Sequence, residues 1–397
     1  MFLGEKKRKI ITEREAIEEV LTRGVDKLVN EEVLRGALSE GQPLRIKLGI
    51  DPTSPHIHIG RAVVLRKLKA FQDLGHTPVF IVGDFTGVIG DTSDKDAERP
   101  MLTPEKIKEN LKSYFAQAGK IIDLKKAETH YNSTWLSKLT YKEIGQQADW
   151  VSVADFISRD VIKRRLDQGS RVSLREMLYP LMQGYDSVAV KADVELGGVD
   201  QWFNLLSGRV MQEHYKQKPQ NILTTKLLMG LDGRKMSSSW GNTINITETP
   251  NEMFGKTMSL KDELLSEYFT LATDLKEEAI KEALLKGPRD AKVILARTLV
   301  AQYHGEKEAE KAEHYFIETF SQKKIPDNVP SIEGKEGEVL GDILVRGGFL
   351  PSKSEWTRLV DQGAVVLLPE NKVTDSKEIA VKGAVYKIGK HRFVKII

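Results

Sequence analysis

The stretch from Leu44 to Val82 constrains the fold more than any other part of the chain. Leu44, Ile46, Leu48 and Ile50 alternate with polar residues as in a half-buried strand, and Val64, Leu65, Leu68 and Phe71 then recur at helical spacing. Gly75 closes that helix, and Val79 to Val82 follow as the continuous apolar run of a buried parallel strand. Strand, helix and strand in one sheet make a right-handed crossover, so an α/β fold is expected. The turn inside it reads Gly49-Ile50-Asp51-Pro52-Thr53-Ser54-Pro55-His56-Ile57-His58-Ile59-Gly60-Arg61. Two prolines and a Thr/Ser pair fix its course, Gly60 lets backbone approach a ligand, and the helix start offers unpaired N–H groups to an anion. The turn outlines a nucleotide site; taken alone, it reads equally well as an ordinary connection in an α/β sheet.

Two further glycine turns extend this pattern. The second strand runs into Gly83-Asp84-Phe85-Thr86-Gly87-Val88-Ile89-Gly90-Asp91, and glycines at the carboxyl end of a parallel strand lie where such sheets bind ligands. Val190 to Leu196 read as another strand, entering Gly197-Gly198-Val199-Asp200-Gln201. The dinucleotide spacing G-x-G-x-x-G is absent from the first two turns. Residues 10 to 40 read as helix, with Ile17, Val20, Leu21 and Val25 on one face. From about 104 to 190 the pattern predicts a helical insertion, whose last segment sets Tyr179, Gln183 and Asp186 on one face. Leu227 to Leu231 lead into Gly233-Arg234-Lys235-Met236-Ser237-Ser238-Ser239, a basic, hydroxyl-rich loop of the phosphate-binding kind.

The expected organisation is a Rossmann-like, parallel-sheet catalytic domain over 1–245, an α-helical domain over 246–325, a Pro- and Gly-containing linker over 326–337, and a small α+β unit over 338–397. Helices near 340–346 and 354–362 and strands at 365–367 and 385–388 are predicted in the last unit. The chain has no cysteine, which removes disulfides, thiolate zinc sites and cysteine nucleophiles together. His56 and His58 have no third ligand nearby in sequence, so no protein-bound metal is expected. Gly255-Lys256-Thr257 resembles the end of a phosphate loop but has Pro250 in place of the first glycine. No apolar run approaches the roughly 18 residues of a membrane span, and a soluble, cytoplasmic protein without membrane association is expected. The net charge of +3 is too small to argue for nucleic acid by itself, but the last sixteen residues hold five Lys or Arg and no acid.

His58-Ile59-Gly60-Arg61 resembles the HIGH motif, and Lys235-Met236-Ser237-Ser238-Ser239 the KMSKS loop, of class I aminoacyl-tRNA synthetases. Gly-Ile-Asp-Pro-Thr before the first motif, Tyr-Pro-Leu-Met-Gln-Gly-Tyr-Asp at 179 to 186 and Gly-Gly-Val-Asp-Gln-Trp at 197 to 202 narrow the resemblance to the bacterial tyrosyl-tRNA synthetases. It extends over nearly the whole chain and makes the C-terminal unit similar to a small RNA-binding domain first known from a ribosomal protein. The resemblance implies ATP-dependent activation of L-tyrosine and its transfer to tRNA(Tyr) by a homodimer, with ATP and Mg2+ as substrate and no organic cofactor. It places Thr53, His58, Arg61, Lys235 and, beyond Asp91, Lys95 and Arg99 at the phosphates. Gly49, Gly60, Gly198, Asp200 and Ser237 fall at the nucleotide. Asp51, Asp91, Tyr179, Gln183 and Gln201 surround the substrate's amino group, and Asp186 reads the phenol hydroxyl. Lys353, Arg358, Lys390 and Arg392 are the implied tRNA contacts.

Three positions depart from the family pattern: Arg61 replaces the second histidine of HIGH, Ser238 replaces the second lysine of KMSKS, and Lys47 stands where one bacterial branch carries a tyrosine. Without the resemblance, Lys95 and Arg99 read as surface charge, and Tyr179, Gln183 and Asp186 as a hydrogen-bonded core cluster. The competing functions are an RNA-binding protein on a synthetase scaffold with decayed catalytic loops, and activation of another amino acid such as tryptophan.

Overall fold

The computed structural model describes residues 9–91, 101–321, 329–335, 337–368, 371–389 and 392–397. The chain divides into two compact units, one of Met1–Thr247 with Lys261–Leu285 and the other of Glu248–Leu260 with Lys286–Ile397.

The first unit is built on a six-stranded sheet of β1 (Val25–Val29), β2 (Arg45–Ile50), β3 (Thr77–Val82), β4 (Glu128–Tyr131), β5 (Val194–Gly198) and β6 (Asn221–Thr225). The spatial order is β1-β6-β5-β2-β3-β4, and every neighbouring pair is parallel except β1 with β6. The chain order reverses between β2 and β5, the switch point at which open α/β sheets bind ligands. Val79 to Val82 on β3 and Ile222 to Thr225 on β6 are buried throughout, as strands covered on both faces must be. The helix Ile59–Asp73 follows the β2 turn, with His58 as its N-cap accepting from the Arg61 N–H. The helix Leu174–Val190 opens on a Ser173/Glu176 capping box and packs against the helix Trp202–His214. Gly184 permits that approach: a Cβ there would stand 2.9 Å from Met211 Cγ and 3.0 Å from the Ser207 carbonyl oxygen.

Several expectations need correction. Residues 10 to 40 are not one helical stretch: helices Arg14–Thr22 and Glu31–Ser39 flank β1, which is bracketed by positive φ at Gly24 and Asn30. Its Val25, Leu28 and Val29 fit a helical stripe as well as a short edge strand. The insertion is mainly helical but contains β4, a polar edge strand whose Glu128-Thr129-His130-Tyr131 carries no apolar run to announce it. The helix before β5 continues to Val190 and ends at Lys191 in the left-handed region, so the strand begins only at Val194.

Residues 246–325 divide between the units. Helices Leu265–Ala272 and Glu277–Leu285 belong with the first unit. There Tyr268 donates to the Met229 carbonyl at 2.6 Å, and Arg23 donates to the carbonyls of Thr270 and Thr273 at 3.0 and 2.9 Å. Helices Pro250–Met258, Pro288–His304 and Glu306–Phe316 form part of the second unit.

Toward the C-terminus, helices Leu340–Arg346 and Lys353–Asp361 accompany a five-stranded sheet in the order 331–332, 392–396, 385–388, 365–367, 371–372. Leu340, Ile343, Leu344, Trp356, Tyr386 and Val394 fill its core, and Trp356 Nε1 donates to the Ser376 carbonyl at 2.8 Å. Both predicted helices and both predicted strands are present, and three strands join them. Among the described residues, no helix is long and apolar enough to cross a membrane.

Candidate active site

A cleft of about 270 Å³ opens over the carboxyl ends of the central strands in the first unit. The end of β2 contributes Gly49, the turn after it Asp51, Thr53 and His58, and the start of the helix Ile59–Asp73 Gly60 and Arg61; the turn after β3 contributes Asp91; the helix Leu174–Val190 contributes Tyr179, Gln183 and Asp186. Gly198, Asp200 and Gln201 enter from the end of β5, and Lys235, Met236, Ser237 and Ser238 from the basic loop. Every sequence-predicted nucleotide and amino-acid residue within the described part of the chain therefore lines one space. Lys95, Arg99 and Lys390 lie outside the described residues.

At one end the side chains are mainly acceptors. Asp51 receives the Thr86 hydroxyl at 2.7 Å on Oδ1 and the Tyr179 hydroxyl at 2.8 Å on Oδ2. Burial raises its pKa to about 6, helped by the nearby Asp91 charge, while the two hydroxyls and Arg61 pull it down. The same burial, with the surrounding carboxylates, pushes the Tyr179 phenol well up, so it remains a donor. Asp91 accepts from Gln201 Nε2 at 2.6 Å, and Gln201 Oε1 accepts from Asn204 at 3.1 Å. Gly83 makes room for this cluster, since a Cβ there would lie 2.0 Å from Asp51 Oδ1.

Deeper in, Asp186 is 4 % exposed and accepts from Trp135 Nε1 at 2.7 Å and from Asn132 Nδ2 at 3.2 Å. Burial lifts its pKa to about 7; the Lys47 charge and the two hydrogen bonds work against that rise. Asn132 also donates to Thr86 and accepts from the Phe85 N–H, tying the acid end to the floor. Thr86, Asn132 and Trp135 escaped sequence reasoning because Asn132 and Trp135 follow the unannounced edge strand β4. The Asx and aromatic residues after a strand end were the one available signal.

At the other end the groups are cationic. Lys235 Nζ pairs with Asp200 Oδ2 at 2.9 Å. Arg61 donates to Thr53 Oγ1 at 2.8 Å and to the Tyr114 hydroxyl at 2.6 Å, so the Arg61 departure is anchored on the insertion. Burial and the Arg61 and Lys235 charges push the His58 pKa down to about 3. Its Nδ1 accepts from the Arg61 N–H at 3.3 Å, which leaves Nε2–H as a neutral donor. The basic loop is anchored by Asn242, whose Oδ1 accepts from the Ser237 N–H at 2.8 Å and whose Nδ2 donates to the Lys235 carbonyl at 3.1 Å. Gly60 N–H meets Met236 Sδ at 3.3 Å, joining the first turn to that loop.

In the second unit, Lys353 pairs with Asp342 at 2.7 Å, Arg358 with Glu355 at 2.6 Å, and Arg392 donates to the Phe349 carbonyl at 3.1 Å. Lys353 and Arg358 remain exposed.

Residues 39–321 match the family described as tRNA synthetases class I (W and Y). The chain is 45% identical over 386 residues to a tyrosine–tRNA ligase of Thermotoga maritima, covering 95% of this chain and 96% of that one. It is 46% identical over 390 residues to one of Moorella thermoacetica, covering 95% and 94%. Among solved structures, a C-terminally truncated mitochondrial tyrosyl-tRNA synthetase of Aspergillus nidulans matches with a TM-score of 0.65 at 21% identity, over 78% of this chain and 95% of that one. That of Archaeoglobus fulgidus with L-tyrosine matches with a TM-score of 0.60 at 22% identity, over 75% and 99%. These structural likenesses bear on the fold alone. With the signature loops gathered on one Rossmann-like cleft and such identity over almost the full length, the chain belongs to the class I tRNA synthetases of the tyrosine and tryptophan branch, and within it to the tyrosine–tRNA ligases.

Proposed function

We propose that this cleft activates L-tyrosine with ATP and then passes the tyrosyl group to tRNA(Tyr). The observation that carries the assignment is the polarity of the cleft, with buried acceptors at one end and His58, Arg61 and Lys235 at the other. The tyrosine carboxylate attacks the α-phosphorus of ATP, the bond to the bridging oxygen breaks, and pyrophosphate leaves with its electron pair. A 3′-terminal ribose hydroxyl of the tRNA then attacks the carbonyl carbon of the adenylate and AMP departs. No enzyme nucleophile is required; catalysis rests on positioning and charge.

The substrate ammonium is met by Asp51, Asp91 and the Tyr179 oxygen, whose proton is already given to Asp51. Gln183 turns its amide nitrogen to Glu195 at 3.1 Å, which frees its oxygen for the ammonium. Asp186 accepts a hydrogen bond from the phenol hydroxyl. On the nucleotide side, Gly49, Gly60, Gly198 and Ser237 offer close approach or backbone groups, and Thr53 and the neutral Nε2–H of His58 donate to phosphate. ATP opens the Lys235–Asp200 pair, giving the carboxylate to the ribose hydroxyls and the ammonium to the departing pyrophosphate. Arg61 adds charge from the side of Thr53, and Lys95 and Arg99 act at the same phosphates. Among the described residues no three potential metal-ligating side chains gather, and Mg2+ enters bound to the phosphates of ATP as part of the substrate.

The working form is a homodimer in the cytoplasm. In support, the exposed Tyr141, Val153, Ile157, Leu166 and Leu174 concentrate on the insertion, where a second copy would cover them. The C-terminal unit supplies Lys353, Arg358, Lys390 and Arg392 to the tRNA. Deleting residues 331–397 is expected to leave adenylate formation within about twofold while tRNA charging falls by an order of magnitude or more, as loss of several phosphate contacts requires. Loss of adenylation in a folded truncation would contradict that division.

The direct test is exchange of labelled pyrophosphate into ATP, expected with tyrosine and not with phenylalanine or tryptophan. Absence of exchange by folded protein, or exchange driven by tryptophan, would overturn the assignment. A pH dependence accompanies it. Tyrosine binds the ionised forms of Asp51 and Asp186, so its KM should rise as pH falls below about 7, by up to about tenfold per unit while Asp186 alone protonates and by up to about a hundredfold per unit below about 6, where both do. Both pKa values are raised on folding, so these groups favour the unliganded fold most at low pH. That contribution declines as pH climbs from about 4 toward 7.

A further inference from the structure

Lys47 does not line the cleft; β2 contributes Leu48, Gly49 and Ile50 instead. Lys47 lies beneath the cleft, 0 % exposed, as the direct register neighbour of Glu195 on β5, itself 1 % exposed, at the switch point of the sheet. All three of its ammonium donors are used, on Glu195 Oε1 at 2.8 Å, Ser187 Oγ at 2.8 Å and the Gln183 carbonyl at 2.9 Å. Glu195 in turn accepts from Gln183 Nε2 at 3.1 Å, from Ser187 Oγ at 3.0 Å and from Gln220 Nε2. The neighbouring helix leaves space for this network: a Cβ at Gly208 would stand 2.4 Å from Gln220 Nε2 and 3.0 Å from Glu195 Oε2.

Stability alone is a weak reason for such a pair, because well-packed apolar residues often do as well or better in its place. What it touches is specific. Lys47 holds the backbone of Gln183 and Glu195 holds its side-chain amide, while Ser187, gripped by both, adjoins Asp186. We propose that Lys47 and Glu195 are positioning residues for tyrosine recognition: together they aim the Gln183 amide and set the electrostatic field at Asp186 without touching the substrate. This rests on the assignment of the cleft above. Asp186 faces burial first, then Lys47, the Trp135 and Asn132 hydrogen bonds, and Glu195; Lys47 favours its ionised form and Glu195 opposes it. Tyr179, whose phenol feels the Asp186 charge, lies on the same helix.

The experiment measures tyrosine-dependent pyrophosphate exchange across pH for the full chain, Lys47→Met, Glu195→Gln and the double variant, with far-UV circular dichroism and melting as fold controls. Each single variant is expected to raise the KM for tyrosine about tenfold, the order of one hydrogen bond to a charged group, with kcat and the KM for ATP little changed. The distinguishing result is in the pH midpoint of that KM. It should move up in Lys47→Met and down in Glu195→Gln, which a merely structural role would not produce. If Lys47→Met does not fold, the downward shift in Glu195→Gln and its return in the double variant carry the same information. Wild-type exchange with coincident midpoints in the variants overturns the role of the pair alone. Wild-type protein without tyrosine-dependent exchange overturns the assignment of the cleft, and this role with it.

Discussion

Replacing Asp186 by alanine is expected to collapse the preference for tyrosine over phenylalanine. Asp186 is buried, and its two oxygens are oriented by Trp135 and Asn132, so the carboxylate is ready to accept one further proton donor. Phenylalanine offers none, and a buried acceptor left unpaired is what rejects it. Tyrosyl-tRNA synthetases as a family are known for such rejection, at about 10⁵ against phenylalanine. Alanine removes both the hydrogen bond gained by tyrosine and the penalty imposed on phenylalanine. The ratio of kcat/KM values should fall by roughly two orders of magnitude or more, since a hydrogen bond to a charged group is worth about 1.5–3 kcal/mol before the penalty is counted. Pyrophosphate exchange with each amino acid measures it, and an unchanged ratio would remove Asp186 from its role.

Loss of Lys235 should act on the chemical step instead. Its ammonium pairs with Asp200 at 2.9 Å, and on the proposed reading it becomes available when the ribose takes Asp200. Charge then develops on the departing pyrophosphate, where a preorganised cation lowers the barrier by about 2–4 kcal/mol. Lys235→Ala should slow adenylate formation by roughly thirty-fold to a thousand-fold while leaving tyrosine binding near wild type. Ser238 in place of the family's second lysine means no neighbouring lysine at that position shares the load. Rapid-quench measurement of adenylate formation, paired with a tyrosine titration by fluorescence, separates the two steps; a wild-type rate would contradict the assignment.

Much of this site was legible in the chain because it is local. The turn from Gly49 to Arg61, the face holding Tyr179, Gln183 and Asp186, the Gly-Gly turn at 197–201 and the loop at 233–239 are each written in a few consecutive residues, where turn chemistry and helical offsets apply. The structure brought all four to one cleft. Less legible were elements whose sequence lacks periodicity. The polar edge strand β4 and the short antiparallel β1 have no repeating apolar face long enough to register, and their partners are distant in sequence. With β4 went Asn132 and Trp135, the supports of Asp186.

The amino-acid sequence by itself determined the α/β class, the order of the binding turns and the polar residue types they carry, since those follow from local pattern, while tyrosine and ATP entered through the resemblance to the family. Only the tertiary structure decided what charged residues off that pattern do. Lys47 is a cation in a strand of apolar neighbours, and nothing within the chain around it names a partner 148 positions away. Sheet register set Glu195 beside it, and the switch point put both beneath the helix that carries Gln183 and Asp186. Arg61 was likewise a bare departure until packing set it between Thr53 and Tyr114. The physical reason is common to both: a charge withdrawn from water is defined by whatever the fold brings to meet it.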